Sequence, residues 1–224
     1  MRIETRSLSG TIDEVSLRLA EGGGLPEAQR DRIVAFLLDR QVASGRDRGT
    51  FAPFPGEFER GVRLFTGERL RSRVATRNVL TLEAARILSV VASDRADVRC
   101  ALSRSAIAMG HACFAVSHCV IGECAHSSIA YMREAACDRN GDRRRWIDKH
   151  LRVIAGQRDG TGRWRRFPFY YTLLALLEVG TPAANAEIEY ACPACERVSR
   201  RLAETSEIER RRLALVRCVL SSSG

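Results

Sequence analysis

Apolar side chains recur every three or four positions along most of the chain, the spacing that places them on one face of an α-helix. Turn-forming and capping residues separate these segments, and little of the chain alternates apolar and polar residues as a strand does. The pattern predicts helices over about Thr11–Glu21, Glu27–Val42, Arg71–Ala92, Val98–Cys119, Cys124–Cys137, Arg143–Ile154, Thr172–Gly180, Thr181–Leu202 and Ser206–Leu220, and a short extended piece at Val62–Phe65.

Local signals support several of these boundaries. Thr11-Ile-Asp-Glu14 and Ser206-Glu-Ile-Glu209 each match a capping box, in which a hydroxyl and a carboxylate satisfy free amides at a helix start. Asn140-Gly141 is a turn signal. Pro193 lacks an amide proton, so we expect it to kink or restart the helix that contains it. With roughly eight to ten helices joined mostly by short turns, the chain is predicted to be all-α, an array of helical hairpins.

The length of 224 residues is enough to bury a large core. We expect a single helical-repeat domain over residues 1–224, with an N-terminal helix and glycine-rich linker over 1–25 and the helical array over 26–222. Aromatic residues make up only 6% of the chain, so most of that core must be aliphatic.

Two segments of the chain resemble each other. In Arg46–Pro55 and in Arg158–Pro168, Arg-Asp and a glycine-bearing turn precede an aromatic residue, and Phe-Pro follows that residue three positions later. Each segment follows a predicted helix and leads towards another that has Thr-Leu near its start, at Thr81 and at Thr172. Similarity of this kind marks a fold of stacked units, because one hairpin cannot bury its own apolar face.

This order of helix, glycine turn, aromatic residue and Thr-Leu-Leu-Ala-Leu-Leu helix resembles the repeat of the α/α-toroid superfamily of terpenoid cyclases and protein prenyltransferases. The resemblance implies a partial α/α-toroid and, for an enzyme, an apolar or isoprenoid substrate. Prenyltransferases also hold zinc through Asp, Cys and His, but their motifs do not match this chain residue by residue. The Asp-x-Asp-Asp motif of the class II cyclases is missing, as is the glutamine of the usual Gln-Trp repeat near Trp164.

The formal net charge is +9, which is typical of proteins with an anionic partner. Of the 36 basic residues, however, all but Lys149 are arginine, a bias that also fits codon usage. Arg163, Arg165 and Arg166 flank Trp164, an arrangement that could bind anions or grip nucleic-acid phosphates while the indole stacks on a base. The alternative is a solvated arginine cluster around a buried tryptophan, which we favour.

The sequence shows no signal-peptide pattern and no apolar run long enough to span a membrane. We therefore expect a cytoplasmic protein, in which the eight cysteines are reduced and act as buried thiols or metal ligands.

Cys192-Pro-Ala-Cys195 is the most distinctive local motif. If the helix restarts at Pro193, the helix dipole favours a thiolate here, and the pair could supply two ligands to zinc. The remaining ligands are expected from Cys119, Cys124, His126 or His118, and of these histidines His126 is the better candidate because it follows Cys124 closely. Two other hypotheses remain open: a redox pair, and cysteines that only pack between helices.

No phosphate-binding glycine loop, nucleophile elbow or His-Glu-x-x-His motif is present in the sequence. We therefore expect a binding or scaffold protein that presents a concave surface to a ligand or protein partner, with a structural zinc. One alternative is a metal-dependent enzyme with an apolar or isoprenoid substrate; another is a nucleic-acid-binding helical repeat. The candidate metal ligands are Cys119, Cys124, His126, Cys192 and Cys195.

Overall fold

A computed structural model describes residues 7–138, 141 and 143–222. Within these residues the secondary structure is almost entirely helical, which confirms the all-α class. The elements are α1 (Leu8–Ala20), α2 (Glu27–Asp39), α3 (Pro55–Arg60), β1 (Val62–Arg63), β2 (Arg69–Leu70), α4 (Arg73–Ala92), α5 (Ala96–Gly110), α6 (Cys113–Ser117), α7 (Cys124–Ala136), α8 (Arg144–Ala155), α9 (Phe169–Val179), α10 (Pro182–Ser199) and α11 (Glu207–Ser222). The strands pair in one antiparallel hairpin. Asn140 of the predicted turn lies outside the described residues.

Helix α4 lies at the centre of the packing, and most of its side chains are buried. The helices α1, α4, α7, α9 and α11 pack side by side in that order, while α2 and α5 pack against α4, α8 against α7, and α10 against α9. An ion pair between Arg211 of α11 and Asp13 of α1 (3.4 Å) joins the last of the five helices to the first. The five helices therefore surround a central space.

The two similar segments adopt the same local structure. In each, an isolated antiparallel bridge closes the turn, between Gln41 and Phe51 in the first and between Arg158 and Trp164 in the second. Matching backbone hydrogen bonds flank the two bridges: Val42 N to Thr50 O (2.9 Å) and Ala52 N to Arg40 O (2.9 Å), and Asp159 N to Arg163 O (3.0 Å) and Arg165 N to Gln157 O (2.9 Å).

A glycine two positions before each aromatic residue has a positive φ, +86° at Gly49 and +85° at Gly162. A Cβ at Gly49 would lie 2.5 Å from the carbonyl oxygen of Arg104 in α5, and one at Gly162 would lie 3.1 Å from the amide nitrogen of Ala194 in α10. Each turn thus packs directly on the backbone of a later helix, which explains why the two segments share a glycine there.

The first helix begins earlier than the capping box at Thr11 predicts. Ser7 is its N-cap, and the carboxylate of Glu57 accepts hydrogen bonds from the amides of Leu8 (2.9 Å) and Ser9 (2.8 Å). Glu57 lies in α3, a short helix that is not among those predicted from the sequence. The hydroxyl of Ser7 also accepts a hydrogen bond from the amide of Gly10 (2.9 Å), so the cap combines a local residue with a distant carboxylate that leaves no local sequence signal.

The long helix predicted over Val98–Cys119 is divided in two. Helix α5 ends at Gly110, a weak helix former, and α6 is a short helix whose C-cap, His118, has a left-handed φ of 53°. The indole of Trp146 donates to the carbonyl oxygen of Ala115 (2.6 Å), so a tertiary contact holds α6 in place. The helical spacing of apolar residues continues from α5 into α6, because both helices pack against the same core.

Helix α10, in contrast, runs through Pro193 without restarting. Cys192 and Cys195 therefore lie in the interior of a helix, where no free amides are available to stabilise a thiolate. The N-terminus of α10 is at Pro182, ten residues before Cys192, so the helix-start environment expected for this pair does not exist.

Candidate functional site

Three cysteines converge between α5 and α7. Cys113 is the first residue of α6, Cys119 lies in the loop that follows α6, and Cys124 is the first residue of α7. Their Sγ atoms all lie within 4.8 Å of one another, and those of Cys113 and Cys124 are 3.6 Å apart. This group can hold a metal ion.

The backbone of the loop brings the three thiols together. The left-handed conformation of His118 reverses the chain after α6, and Gly122 (φ 54°) turns it again before α7. The carboxylate of Glu123 accepts a hydrogen bond from the amide of Ser72 at the start of α4 (2.8 Å), which anchors the beginning of α7. The positions of the cysteines are therefore set by α4, α6 and α7.

The thiols of the group ionise unequally. A hydrogen bond from the amide of Ile121 lowers the pKa of Cys119, so this thiol deprotonates more readily than that of Cys124. Burial, followed by the neighbouring thiols of Cys113 and Cys119, raises the pKa of Cys124 to about 12. Because adjacent thiolates repel each other, all three deprotonate together only when a cation lies between them.

The spacing of the sulfur atoms suits a tetrahedral metal. With Zn–S bonds of about 2.3 Å, two sulfur ligands lie about 3.8 Å apart, close to the 3.6 Å between Cys113 and Cys124. The same separation is well beyond the roughly 2.05 Å of a disulfide. Cys113 is exposed, so an ion bound here would face solvent on one side.

The structure assembles this group from only part of the ligand set expected from sequence. Cys119 and Cys124 belong to it, whereas His126 does not. Cys113 was missed because it was assigned to the middle of a long helix. The signal that could have found it is the presence of three cysteines on both sides of Gly122, a residue that breaks helices and lets flanking ligands converge.

Cys192 and Cys195 are placed on α10, which packs against α8, α9 and α11, and neither belongs to the group. The thiol of Cys192 donates to the carbonyl oxygen of Ile188 (3.4 Å). Cys195 is fully buried, and burial raises its pKa to about 12. These properties are those of a packing cysteine and do not favour a redox thiolate.

His118, which precedes Cys119, belongs to an aromatic stack with Trp146 and His150. The ring of Trp146 lies 4.8 Å from that of His118 and 4.7 Å from that of His150. His150 is fully buried, and neither of its ring nitrogens has a hydrogen-bond partner among the described residues. Burial, and secondarily the nearby His118, lowers the pKa of His150 to about 3. His150 is therefore a neutral packing group at ordinary pH.

The arginines around Trp164 do not form a stacking surface. Trp164 is buried, and its indole donates to the carboxylate of Glu187 (2.9 Å). The guanidinium of Arg163 lies 4.2 Å from the ring centre of Phe169, while Arg165 and Arg166 are exposed to solvent. The indole is thus unable to stack on a base without unfolding its surroundings.

A second site lies in the space between the five central helices. It is a cavity of about 650 Å³ that reaches α1, α4, α7, α9 and α11 and the β-hairpin turn. Most of its wall is apolar, formed by Leu17, Leu19, Ala20, Phe65, Leu174, Leu177, Ala214, Leu215 and Cys218. Its volume is typical of a binding site for a small molecule.

The inner end of the cavity is polar. Arg133 donates through Nε (2.7 Å) and Nη2 (2.9 Å) to the carboxylate of Glu178, and through Nη1 to Glu83. Arg86 donates through Nε to Glu83 (3.1 Å), and through its other nitrogens to Glu178 (3.4 Å) and the hydroxyl of Ser16 (3.3 Å). We call Glu83, Arg86, Arg133 and Glu178 the ion-pair cluster.

Charge neutralisation within the ion-pair cluster is nearly complete. Burial alone would raise the pKa of Glu83, but Arg133 and Arg86 outweigh it and hold the pKa below its usual value. Burial of the guanidinium would lower the pKa of Arg133, but the carboxylates of Glu178 and Glu83 hold it well above its usual value. Two guanidinium groups and two carboxylates thus pair with one another within the cluster.

None of the helices in the described ranges is long and apolar enough to cross a membrane. Comparison of the chain with protein-family models, with curated proteins and with solved structures finds no match.

Proposed function

We propose that the chain is a binding protein that takes a small, largely apolar molecule into the central cavity. The observation that carries this proposal is the cavity itself, about 650 Å³ with a mostly apolar wall and with charged side chains both at the ion-pair cluster and on α11. It supplies the concave surface that a binding role needs, and it favours a small ligand over a protein partner. The resemblance to a partial α/α-toroid remains part of this proposal, with five successive helices arranged around the cavity.

A cavity-blocking variant tests this role. Ala214 of α11 is exposed and lines the cavity, so Ala214→Trp is expected to fill the space and abolish binding of a neutral apolar dye such as Nile red. The matched control is Ala183→Trp, which puts the same side chain at an exposed position of α10 outside the cavity lining. Equal dye binding by the two variants would contradict the proposal.

We further propose that zinc occupies the group of Cys113, Cys119 and Cys124, with a structural role. Three thiols lie within 4.8 Å of one another, one pair of them at the 3.6 Å that suits a tetrahedral ion, and zinc prefers thiolate ligands; an external ligand would complete the shell on the exposed side. Bound zinc would tie α6 to the start of α7 and so stabilise the loop between them. Thiolate ligation requires reduced cysteines, so this proposal includes a reducing, cytoplasmic location.

Elemental analysis tests the zinc proposal. Protein purified without chelator is expected to contain about one zinc per chain, and Cys113→Ser is expected to lose most of it. Cys100→Ser, which changes another exposed cysteine outside the group, should keep the metal. Metal-free wild-type protein, or a mass showing a disulfide between two of the three cysteines, would exclude a resident zinc.

The enzyme alternative has less support. A metal-dependent reaction on an apolar substrate needs the metal at the cavity, but no cysteine of the group lines it. Cys124 and Arg133 lie on the same helix, nine residues apart, which corresponds to about 13 Å along its axis. The nucleic-acid alternative is weakened by the burial of Trp164, and a salt-dependent shift of RNA or DNA would restore it.

A further inference from the structure

The polar end of the cavity limits which chemical groups a ligand can bring there. Within the ion-pair cluster, every guanidinium nitrogen of Arg133 already donates to a carboxylate. Its side chain is only 2% exposed, as against 29% for Glu178. The group of the cluster most accessible to a ligand is therefore a carboxylate, an acceptor of hydrogen bonds.

Arg86 offers the complementary group. Its hydrogen bonds to Glu178 (3.4 Å) and Ser16 (3.3 Å) are long, and its terminal nitrogens carry more protons than these two bonds use. A ligand oxygen near Ser16 can therefore accept a hydrogen bond from Arg86 while its own proton is donated to Glu178. A hydroxyl group has both functions in one atom.

Charged head groups are disfavoured at the same place. A carboxylate would approach Glu178 with the same charge, and both arginines of the ion-pair cluster are already paired with carboxylates. Arg210 and Arg211 also line the cavity, but they belong to α11 and not to the cluster. An ammonium would lose its hydration close to Arg86 and Arg133. Because the two positive and two negative charges of the cluster cancel, the attraction that a carboxylate or an ammonium gains there does not offset the hydration free energy it loses.

We infer that the cavity binds a neutral long-chain alcohol, with the chain along the apolar wall and the hydroxyl between Glu178, Arg86 and Ser16. This inference rests on the proposed binding function and names its ligand class. The chain is bound by burial of methylene groups, so affinity is expected to rise about fourfold per methylene until the cavity is full. The hydroxyl fixes the orientation of the ligand, because it holds that end of the molecule at the ion-pair cluster.

Competition against Nile red with three ligands of equal chain length tests the head group. For wild-type protein, 1-dodecanol is expected to bind about tenfold or more tightly than dodecanoate and dodecylammonium. Equal or tighter binding of either ion would overturn the inference but leave the binding function standing. If none of the three, and no dye, enters the cavity, both proposals fail.

Glu178→Gln gives a second measurement that reverses the preference. Loss of this carboxylate leaves the cluster with one excess positive charge, so dodecanoate should become the tightest of the three ligands. Glu189→Gln, an exposed position on α10, is the control and should keep the preference for the alcohol. An unchanged preference in a folded Glu178→Gln protein would show that the head group does not lie at the cluster. If this variant does not fold, the comparison of head groups on the wild-type protein decides alone.

Discussion

The buried carboxylate of Glu83 offers the sharpest test of what stabilises the fold. It is 4% exposed, and it accepts hydrogen bonds from Arg133, from Arg86 (3.1 Å) and from the hydroxyl of Tyr171. Glu83→Gln keeps the size of the side chain but removes its charge. It leaves Arg86 and Arg133 buried with Glu178 as the only carboxylate of the cluster.

The expected cost follows from these contacts. Each hydrogen bond to a charged group contributes about 1.5–3 kcal/mol, so weakening those from the two arginines costs about 3–6 kcal/mol. This agrees with the roughly 3–5 kcal/mol lost when one partner of a buried ion pair is removed. For a chain of this size, such a loss lowers the melting temperature by roughly 6–20 °C.

A double-mutant cycle separates the ion pair from other effects. Arg133→Met is expected to destabilise the protein by a similar amount, because it leaves Glu83 with fewer compensating charges. The double variant restores the balance, with Arg86 facing Glu178, and should be more stable than the sum of the single losses predicts by about 2 kcal/mol.

The assay is equilibrium unfolding in urea, followed by circular dichroism, with the free energies extrapolated to water. Glu189→Gln at the surface should change stability by no more than about 0.5 kcal/mol. A loss below about 1 kcal/mol in Glu83→Gln, or additive losses in the double variant, would refute the assignment of Glu83 as the charge partner of Arg133.

Two further predictions follow from the backbone and from burial. Gly160→Ala and Gly162→Ala both place a side chain at φ 85°, and each should lower the free energy of unfolding in urea by about 1–2 kcal/mol. Gly162→Ala should lower it more, because only its Cβ meets the backbone of α10. Equal losses in the two variants would contradict that packing. The pKa of His150 is lowered from 6.5 to about 3, so its contribution to stability is full above pH 6.5 and falls by about 1.4 kcal/mol per unit as the pH drops from 6.5 towards 3. Asp13, with a pKa raised to about 6, changes the stability in the opposite direction over this pH range. The measurement is therefore the free energy of unfolding of the wild type minus that of His150→Phe, in which the effect of Asp13 cancels. This difference should fall on acidification from pH 7 to 4.5.

Helix positions were largely predictable because an amphipathic helix is encoded by its own spacing. The end of α9 and the start of α10 follow from Gly180 and Thr181, which are local signals. The errors occur where a distant group decides the outcome. Glu57 caps α1 from another helix, and the contact between Trp146 and Ala115 fixes α6 as a separate element.

The candidate sites were less predictable than the helices. Cys119 and Cys124 are predicted as ligands from the sequence, but the approach of Cys113 to them depends on a chain reversal at a left-handed histidine, a conformation that residues other than glycine rarely adopt. The ion-pair cluster was not found at all. Its members lie on three helices, and each one resembles a surface charge when the sequence is considered alone.

The sequence by itself therefore determined the helical class, most helix boundaries and the similarity of the segments around Phe51 and Trp164, because spacing, caps and turns act over a few residues. Only the tertiary structure decided which cysteines meet and which charges are buried. It also decided that five helices enclose a cavity. Those features depend on how helices far apart in the chain pack together, and the free energy of that packing comes from contacts that no local pattern specifies.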